Sequence, residues 1–130
     1  QAGLPVEDEL ITSGDFTTET GIQCGRTLLS LNDRPTAIFA SNDQMAMGVY
    51  QVADELGLRI PDDFSLVGFD NIPESKYLGL TTVDQFISEM GYAATQMLIK
   101  IINEVPFENQ TFRMQTKLVI RNSCRIVAGN

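Results

Sequence analysis

The chain has 130 residues, 43% of them hydrophobic and 20% charged, which suits one compact folded unit and argues against disorder over most of its length. Nine basic residues against 17 acidic ones leave a formal net charge of −8, and no Lys/Arg cluster offers the basic face that DNA or an anionic membrane requires. His is absent, which excludes a His nucleophile and a His-ligated metal. Cys24 and Cys124 stand in no metal-ligand spacing and read as two reduced thiols.

In chain order, Glu9 to Ser13 reads as a short strand ended by the Gly14-Asp15 turn. Thr17 or Thr18 caps a helix to about Ser30, with Ile22, Leu28 and Leu29 on its apolar side. After the break at Asn32 to Pro35, Thr36 to Ala40 is a near-continuous apolar strand of the kind buried on both faces. Asn42 or Asp43 caps the next helix, which runs through Met45, Val49, Val52, Ala53 and Leu56 and stops at Gly57. Of the two, Asp43 is the better cap by position, which leaves Asn42 free. Pro61-Asp62-Asp63 then turns the chain into a second buried strand, Phe64 to Phe69.

The second half has a different texture. Asn71 to Leu80 is a loop without periodicity, and Thr81 to Phe86 is extended. A long helix enters at Ile87 or Ser88 and runs to about Glu104, with Ile87, Met90, Ala94, Met97, Leu98, Ile101 and Val105 as its apolar stripe. Pro106 to Asn109 breaks it, and Phe112 to Arg121 alternates into a last strand with Leu118 and Ile120 on one face. No apolar run reaches the ~20 residues that span a bilayer.

This β-α-β-α-β order predicts an α/β fold, a parallel sheet flanked by helices. Ligands on such sheets bind at the carboxyl ends of strands, so the residues to weigh are Asp15-Phe16, Ser41-Asn42-Asp43 and Asp70-Asn71.

Four stretches, in order, resemble the LacI/GalR family of bacterial transcription regulators. They are Arg34 to Gly48 (Arg-Pro-Thr-Ala-Ile-Phe-Ala-Ser-Asn-Asp-Gln-Met-Ala-Met-Gly) and Pro61 to Pro73. Then come Leu80 to Gln85 with Met90-Gly91 and Ala93-Ala94, and Leu118 to Cys124. The resemblance implies one lobe of a two-lobed effector sensor with a periplasmic-binding-protein-like fold, preceded in the family by a helix-turn-helix head. By the same resemblance, residues 1–83 belong to the C-terminal lobe, 84–112 form a crossover helix segment of the other lobe, and 113–130 are the return strand and tail. It implies a cytoplasmic homodimer that binds a small polar effector, a sugar or nucleobase-like molecule, with no cofactor. This segment itself would touch neither nucleic acid nor membrane.

Candidate ligand residues follow from position and chemistry together. Asp70 ends a buried strand, and its two oxygens match vicinal sugar hydroxyls, although an Asp there can also bond its own turn. Asn42 offers both a donor and an acceptor, with helix capping as the plain alternative. Phe16 follows a turn where an aromatic needed only for core would be out of place; packing onto an adjacent helix is the plain alternative, and the family resemblance points to stacking on a ligand. Gln85 sits at the crossover and either reaches the ligand or ends an extended segment. Met47 and Tyr77 resemble positions near the family's dimer contact, against the plain reading of Met47 as core.

The apolar stripe after Ile87 needs cover. Several Ile, Leu and Met side chains in water exceed what monomers usually expose, so the helix is expected to pair with a second copy, to swap, or to fold back. Two other function classes compete with this reading. A periplasmic sugar receptor of a transport system shares the fold. An enzyme is disfavoured, because Gly14, Gly21 and Gly25 form no dinucleotide fingerprint and Ser41 lacks both flanking glycines and a His partner.

Overall fold

The computed structural model describes residues 7–106 and 111–126. Helix α1 (Thr18–Leu29) starts where Thr17 leaves extended backbone and its hydroxyl accepts the Thr20 amide at 3.3 Å. Helix α2 (Asp43–Glu55) buries Met45, Ala46, Val49, Val52 and Ala53, the spacing of one helical face. It ends at Leu56, with Gly57 at φ +68 supplying the left-handed residue that releases the chain.

The two helices cross through their glycines. A Cβ at Gly21 would stand 2.6 Å from Met45 Cα, and one at Gly48 would stand 2.5 Å from the Ile22 amide nitrogen. The backbones therefore approach more closely than any larger residue allows. Beneath them, Leu28, Leu29, Ile38, Phe64, Leu66 and Leu80 close the core.

Strand β1 (Ala37–Phe39) pairs in parallel with β2 (Ser65–Val67), Ile38 lying opposite Leu66. Strand β3 (Thr82–Asp84) adjoins β2 through parallel bridges Val67–Thr81 and Asp70–Asp84. Strand β4 (Lys117–Val119) then runs antiparallel to β3, with Thr82 opposite Val119. The expected α/β architecture, a parallel sheet flanked by helices, is what forms, with an antiparallel strand added at one side.

Several local expectations change. Glu9 to Ser13 is not a strand: Asp8–Leu10 is one 3₁₀ turn, and the extended backbone after it pairs with nothing among the described residues. β1 is buried on one face only, since Ile38 lies in the core while Phe39 is 63% exposed. The run Thr36 to Ala40 looked doubly buried because Ala and Phe are apolar, yet helices cover only the Ile38 side. The aperiodic 71–80 stretch holds a short helix, α3 (Pro73–Tyr77), begun by a proline at its first turn and too short to show a period.

Helix α4 (Ile87–Ile102) occupies the expected place, but none of its residues is buried, and Ile102 is 69% exposed. Among the described residues the stripe is therefore not covered by folding back onto the rest of this chain. Pairing or swapping involves a further copy. Pro106 follows the helix, whereas residues 107–109 of the expected break lie outside the described residues. The last strand is shorter than Phe112 to Arg121, and Leu118 and Ile120 are both exposed.

Because the α1–α2 crossing has no room for a side chain, Gly21→Ala should lower unfolding free energy by about 1–3 kcal/mol. The check is a urea titration, in which the midpoint falls while the slope is kept. An unchanged midpoint would mean the helices do not meet at Gly21.

Candidate functional site

One buried side chain ties the start of α2 to the start of β3 and to the entry of α3. Asp43, first residue of α2, is fully buried. Its Oδ1 accepts the Thr82 hydroxyl at 2.6 Å and its Oδ2 accepts the Ile72 amide at 3.0 Å. Its own amide donates to the Phe69 carbonyl at 2.8 Å. A helix N-terminus is also where a carboxylate is electrostatically favoured. Gly68 makes the space: a Cβ there would strike the Asp43 carboxyl and lie 2.9 Å from Leu80 Cδ2.

Asp43 is thus a tie between elements and not the helix cap. Asn42 caps α2 instead, its Oδ1 accepting the Met45 amide at 2.8 Å. Its Nδ2 donates to the Phe16 carbonyl at 2.9 Å, so Asn42 is not left free as its position had suggested. Adjacent Asn and Asp are equally good caps by type; the deep pocket behind α2 decides between them. One Nδ2 hydrogen of Asn42 remains for another acceptor.

Phe16 stands on a fixed turn. Asp15 accepts the hydroxyls of Thr17 and Thr20, each at 2.7 Å, and the Thr17 amide at 3.1 Å. Those hydroxyl bonds, that of Thr17 foremost, hold the Asp15 carboxyl below the usual aspartate range. The turn leaves Phe16 at φ 69 and 61% exposed, an unusual conformation and an unusual exposure for a phenylalanine.

Across the sheet, Asp70 and Gln85 meet directly, Gln85 Nε2 donating to Asp70 Oδ1 at 2.6 Å. Asp70 sits at φ 109 and Asn71 at φ 57, with Phe86 at φ 54 opposite them. Four of the five non-glycine residues with positive φ among those described therefore lie along this one edge. Strain of this kind costs on the order of 1–3 kcal/mol per residue and concentrates at functional sites.

The edge continues through Asn71, one of the strand-end residues marked by the sequence, and through Asp84 and Arg121, which the pattern of the sequence did not single out. Asn71 Nδ2 donates to Asp84 Oδ2 at 3.0 Å, and Arg121 donates to Asn71 Oδ1 at 2.7 Å and to the Leu80 carbonyl at 2.6 Å. Asp84 Oδ1 also accepts the Phe86 amide at 2.8 Å, which helps fix the left-handed Phe86 that opens α4. Asp84 ends β3, a signal that was available. Arg121 was hidden in an alternating stretch.

Phe16 and Asn42 are therefore joined on one side, and Asp70 and Gln85 on the other. The Asp43 amide bond to Phe69, the residue before Asp70, connects the two. Met47 and Tyr77 lie apart from this edge, on α2 and α3; Met47 is half-buried and Tyr77 is 88% exposed. Met45 and Val49 belong to the core, as do Thr81 and Thr82 of the β3 region. The groups on offer are a carboxylate, two amides and an aromatic face, which suit a neutral, hydroxyl-bearing molecule. Among the described residues no group of three or more Cys, Asp or Glu side chains is placed to hold a metal ion, and no helix is long and apolar enough to cross a membrane.

Residues 1–124 match the periplasmic binding protein-like domain family. The chain is 41% identical over 125 residues to the HTH-type transcriptional repressor PurR of Yersinia pestis, covering 95% of this chain and 37% of the repressor. A LacI-family regulatory protein from Chloroflexus aggregans superposes with a TM-score of 0.84 at 37% identity, over 95% of this chain and 46% of that one. A LacI-family regulator from Enterococcus faecium, solved with bound ribose, gives 0.80 at 32% identity, over 87% and 42%. The chain thus spans less than half the length of these relatives.

The buried tie is open to test. Thr82→Val keeps the shape and removes one donor to Asp43, and should cost about 1–3 kcal/mol. Asp43→Ala orphans both the Thr82 hydroxyl and the Ile72 amide and should cost more. Thermal unfolding of the two variants checks the order; Asp43→Ala as stable as the wild-type chain would remove Asp43 from its central place.

Proposed function

Because this chain belongs to the periplasmic binding protein-like domain family, in the form carried by LacI-type regulators, we propose that it is the effector-sensing part of a bacterial transcription regulator and that its effector is a sugar. The observation that carries the reading is the pairing of Asp70 with Gln85 on the same strained edge as the outward-facing Phe16 and the Asn42 amide. The free oxygen of Asp70 accepts sugar hydroxyls, Asn42 and Gln85 supply amide groups to them, and Phe16 lies against an apolar sugar face. A regulator 32% identical to this chain has been solved with ribose, which favours a sugar over a nucleobase-like effector.

In this reading residues 1–83 form one lobe, 84–112 cross into a second lobe, and 113–130 return. Effector bound between the lobes favours their closed arrangement, and closure changes the spacing of DNA-binding heads carried elsewhere in the polypeptide. The acidic chain described here does not grip DNA itself. Such a regulator works in the cytoplasm as a homodimer, with Met47 and Tyr77 at the contact between copies. A transport receptor with the same fold is less well supported, since the relatives named above are repressors and regulators.

The test is thermal unfolding of the longer polypeptide containing this chain, against ribose and a panel of other sugars, nucleosides and bases. A ligand that binds only the folded state at ~100 times its Kd adds about 2.7 kcal/mol and raises the midpoint. Asp70→Asn, which keeps the bond from Gln85 and tolerates positive φ, should weaken sugar binding roughly 10–100-fold, and Phe16→Ala about tenfold. A sugar that stabilises both variants as well as the wild type would place the ligand elsewhere. A stabilising nucleobase with no stabilising sugar would replace the effector class.

A further inference from the structure

We propose that Arg121 is a positioning residue of the effector site. Acting through the Asn71 side chain, it holds the Asp84 carboxylate on the backbone of Phe86 and so leaves Asp70 as the strand-end carboxylate open to a ligand. The inference rests on the sugar-site reading above and adds the device that arranges that site. Its starting point is a cation without a carboxylate. Among the described residues the ion pairs are those of Arg26 and Arg59, and none involves Arg121. Arg121 Nη1 donates instead to the Leu80 carbonyl at 2.6 Å, and Nη2 to Asn71 Oδ1 at 2.7 Å. The planar fork of an arginine reaches two such acceptors at once, which a single ammonium does not.

Asn71 turns this contact into a directed relay. A guanidinium offers donors alone and a carboxylate acceptors alone, so one orientation of the amide satisfies both. Oδ1 faces Arg121, and Nδ2 donates to Asp84 Oδ2 at 3.0 Å. The positive charge polarises that amide and strengthens the bond on its far side. Asp84 Oδ1 then accepts the amide of Phe86 at 2.8 Å, the residue at φ 54 from which α4 starts. In the proposed division Asp84 opens the segment that crosses to the second lobe, and Arg121 lies on the one that returns. The relay therefore joins both crossings beside the ligand residue.

Asp70 belongs to the same piece of backbone. It bridges to Asp84 on the neighbouring strand, and its amide donates to the Val83 carbonyl at 2.9 Å. Asp70, Asn71, Asp84 and Phe86 line one groove of about 760 Å³. Its two strand-end carboxylates are used differently. Both oxygens of Asp84 are occupied, whereas Asp70 takes one bond, from Gln85, and its Oδ2 has no donor among the described residues. With the relay broken, Asp84 would turn a second negative charge toward Asp70 and compete with it for the same hydroxyl donors.

The test exchanges donor and acceptor inside the relay, in the longer polypeptide containing this chain. Asn71→Asp sets carboxylate against carboxylate. Asp84→Asn leaves an amide that cannot accept from both Asn71 and Phe86. The double variant again opposes one carboxylate to one amide, and keeps an acceptor for Arg121 and another for Phe86. Calorimetric titration with D-ribose and hydrogen exchange read by mass spectrometry follow the effect. Each single variant should weaken ribose binding roughly tenfold and speed exchange across residues 84–88 by a similar factor, with exchange across α2 unchanged. The double variant should return both to within about threefold of the wild type, and Arg121→Lys should fall between. The proposal is overturned if the double variant is no better than the single ones. It is also overturned if Arg121→Lys and Arg121→Met both behave as the wild type, or if α2 loosens together with 84–88, as for a general loss of stability. Exchange needs no sugar, so it decides for or against the relay even where ribose fails to bind the wild type or binds Asp70→Asn equally well, results that strike the sugar reading alone.

Discussion

Four segments of this chain come to one point because Asp43 needs them. A carboxyl group with no exposure to water must have its oxygens satisfied by the protein, and here the donors are a hydroxyl from β3 and an amide at the start of α3. Those donors come from segments 29 and 39 residues farther along the sequence. Gly68 is forced by the same group, since only a residue without Cβ leaves it space. Once Asp43 is seated, the N-terminus of α2, the segment after β2, the entry to α3 and the start of β3 have little freedom left. The strained backbone at Asp70 and Asn71 lies directly between two of these fixed points, which is how such conformations are sustained.

A rigid ledge of this kind suits a sensor. Hydrogen-bonding groups aimed before a ligand arrives lose little freedom when it binds, and Asp70 with Gln85, Asn42 with the Phe16 carbonyl, and Asp84 with Asn71 are all aimed in this way. In the proposed reading this ledge is one wall of a site. The other is expected from polypeptide beyond this chain, consistent with a match that covers less than half of the relatives. Helix α4, with no buried residue, and the open edge of β1 have the same character: ordered apolar surface left uncovered among the described residues.

Much of this was legible in the residues. The 3.6-residue spacing of Met45, Val49, Val52 and Ala53 and the apolar runs at Thr36 and Phe64 give α2 and two parallel strands by periodicity alone, and strand ends then direct attention to Asn42 and Asp70. What the sequence hid has physical causes. Asn42 and Asp43 are interchangeable as caps by type, and only the depth of the pocket behind α2 separates them. Glu9 to Ser13 has a strand's composition, but a strand exists through its partner, and among the described residues none pairs with it. The bond between Asp70 and Gln85 joins residues 15 apart, and Arg121 reaches Asn71 across 50. Pairings at such separations are set by the sheet and leave no local pattern. Positive φ at Phe16 and Phe86 is equally silent, since nothing in a phenylalanine announces it.

The central claim is that the edge built around Asp43 forms one wall of a sugar site. Its most direct measurement is a crystal structure of the longer regulator with its stabilising sugar bound. The expected result is a pair of sugar hydroxyls roughly 2.7 Å from the Asp70 carboxyl, the Asn42 amide in reach of the ring and Phe16 against an apolar face. A sugar held elsewhere, with Phe16, Asn42 and Asp70 all out of contact, would contradict it.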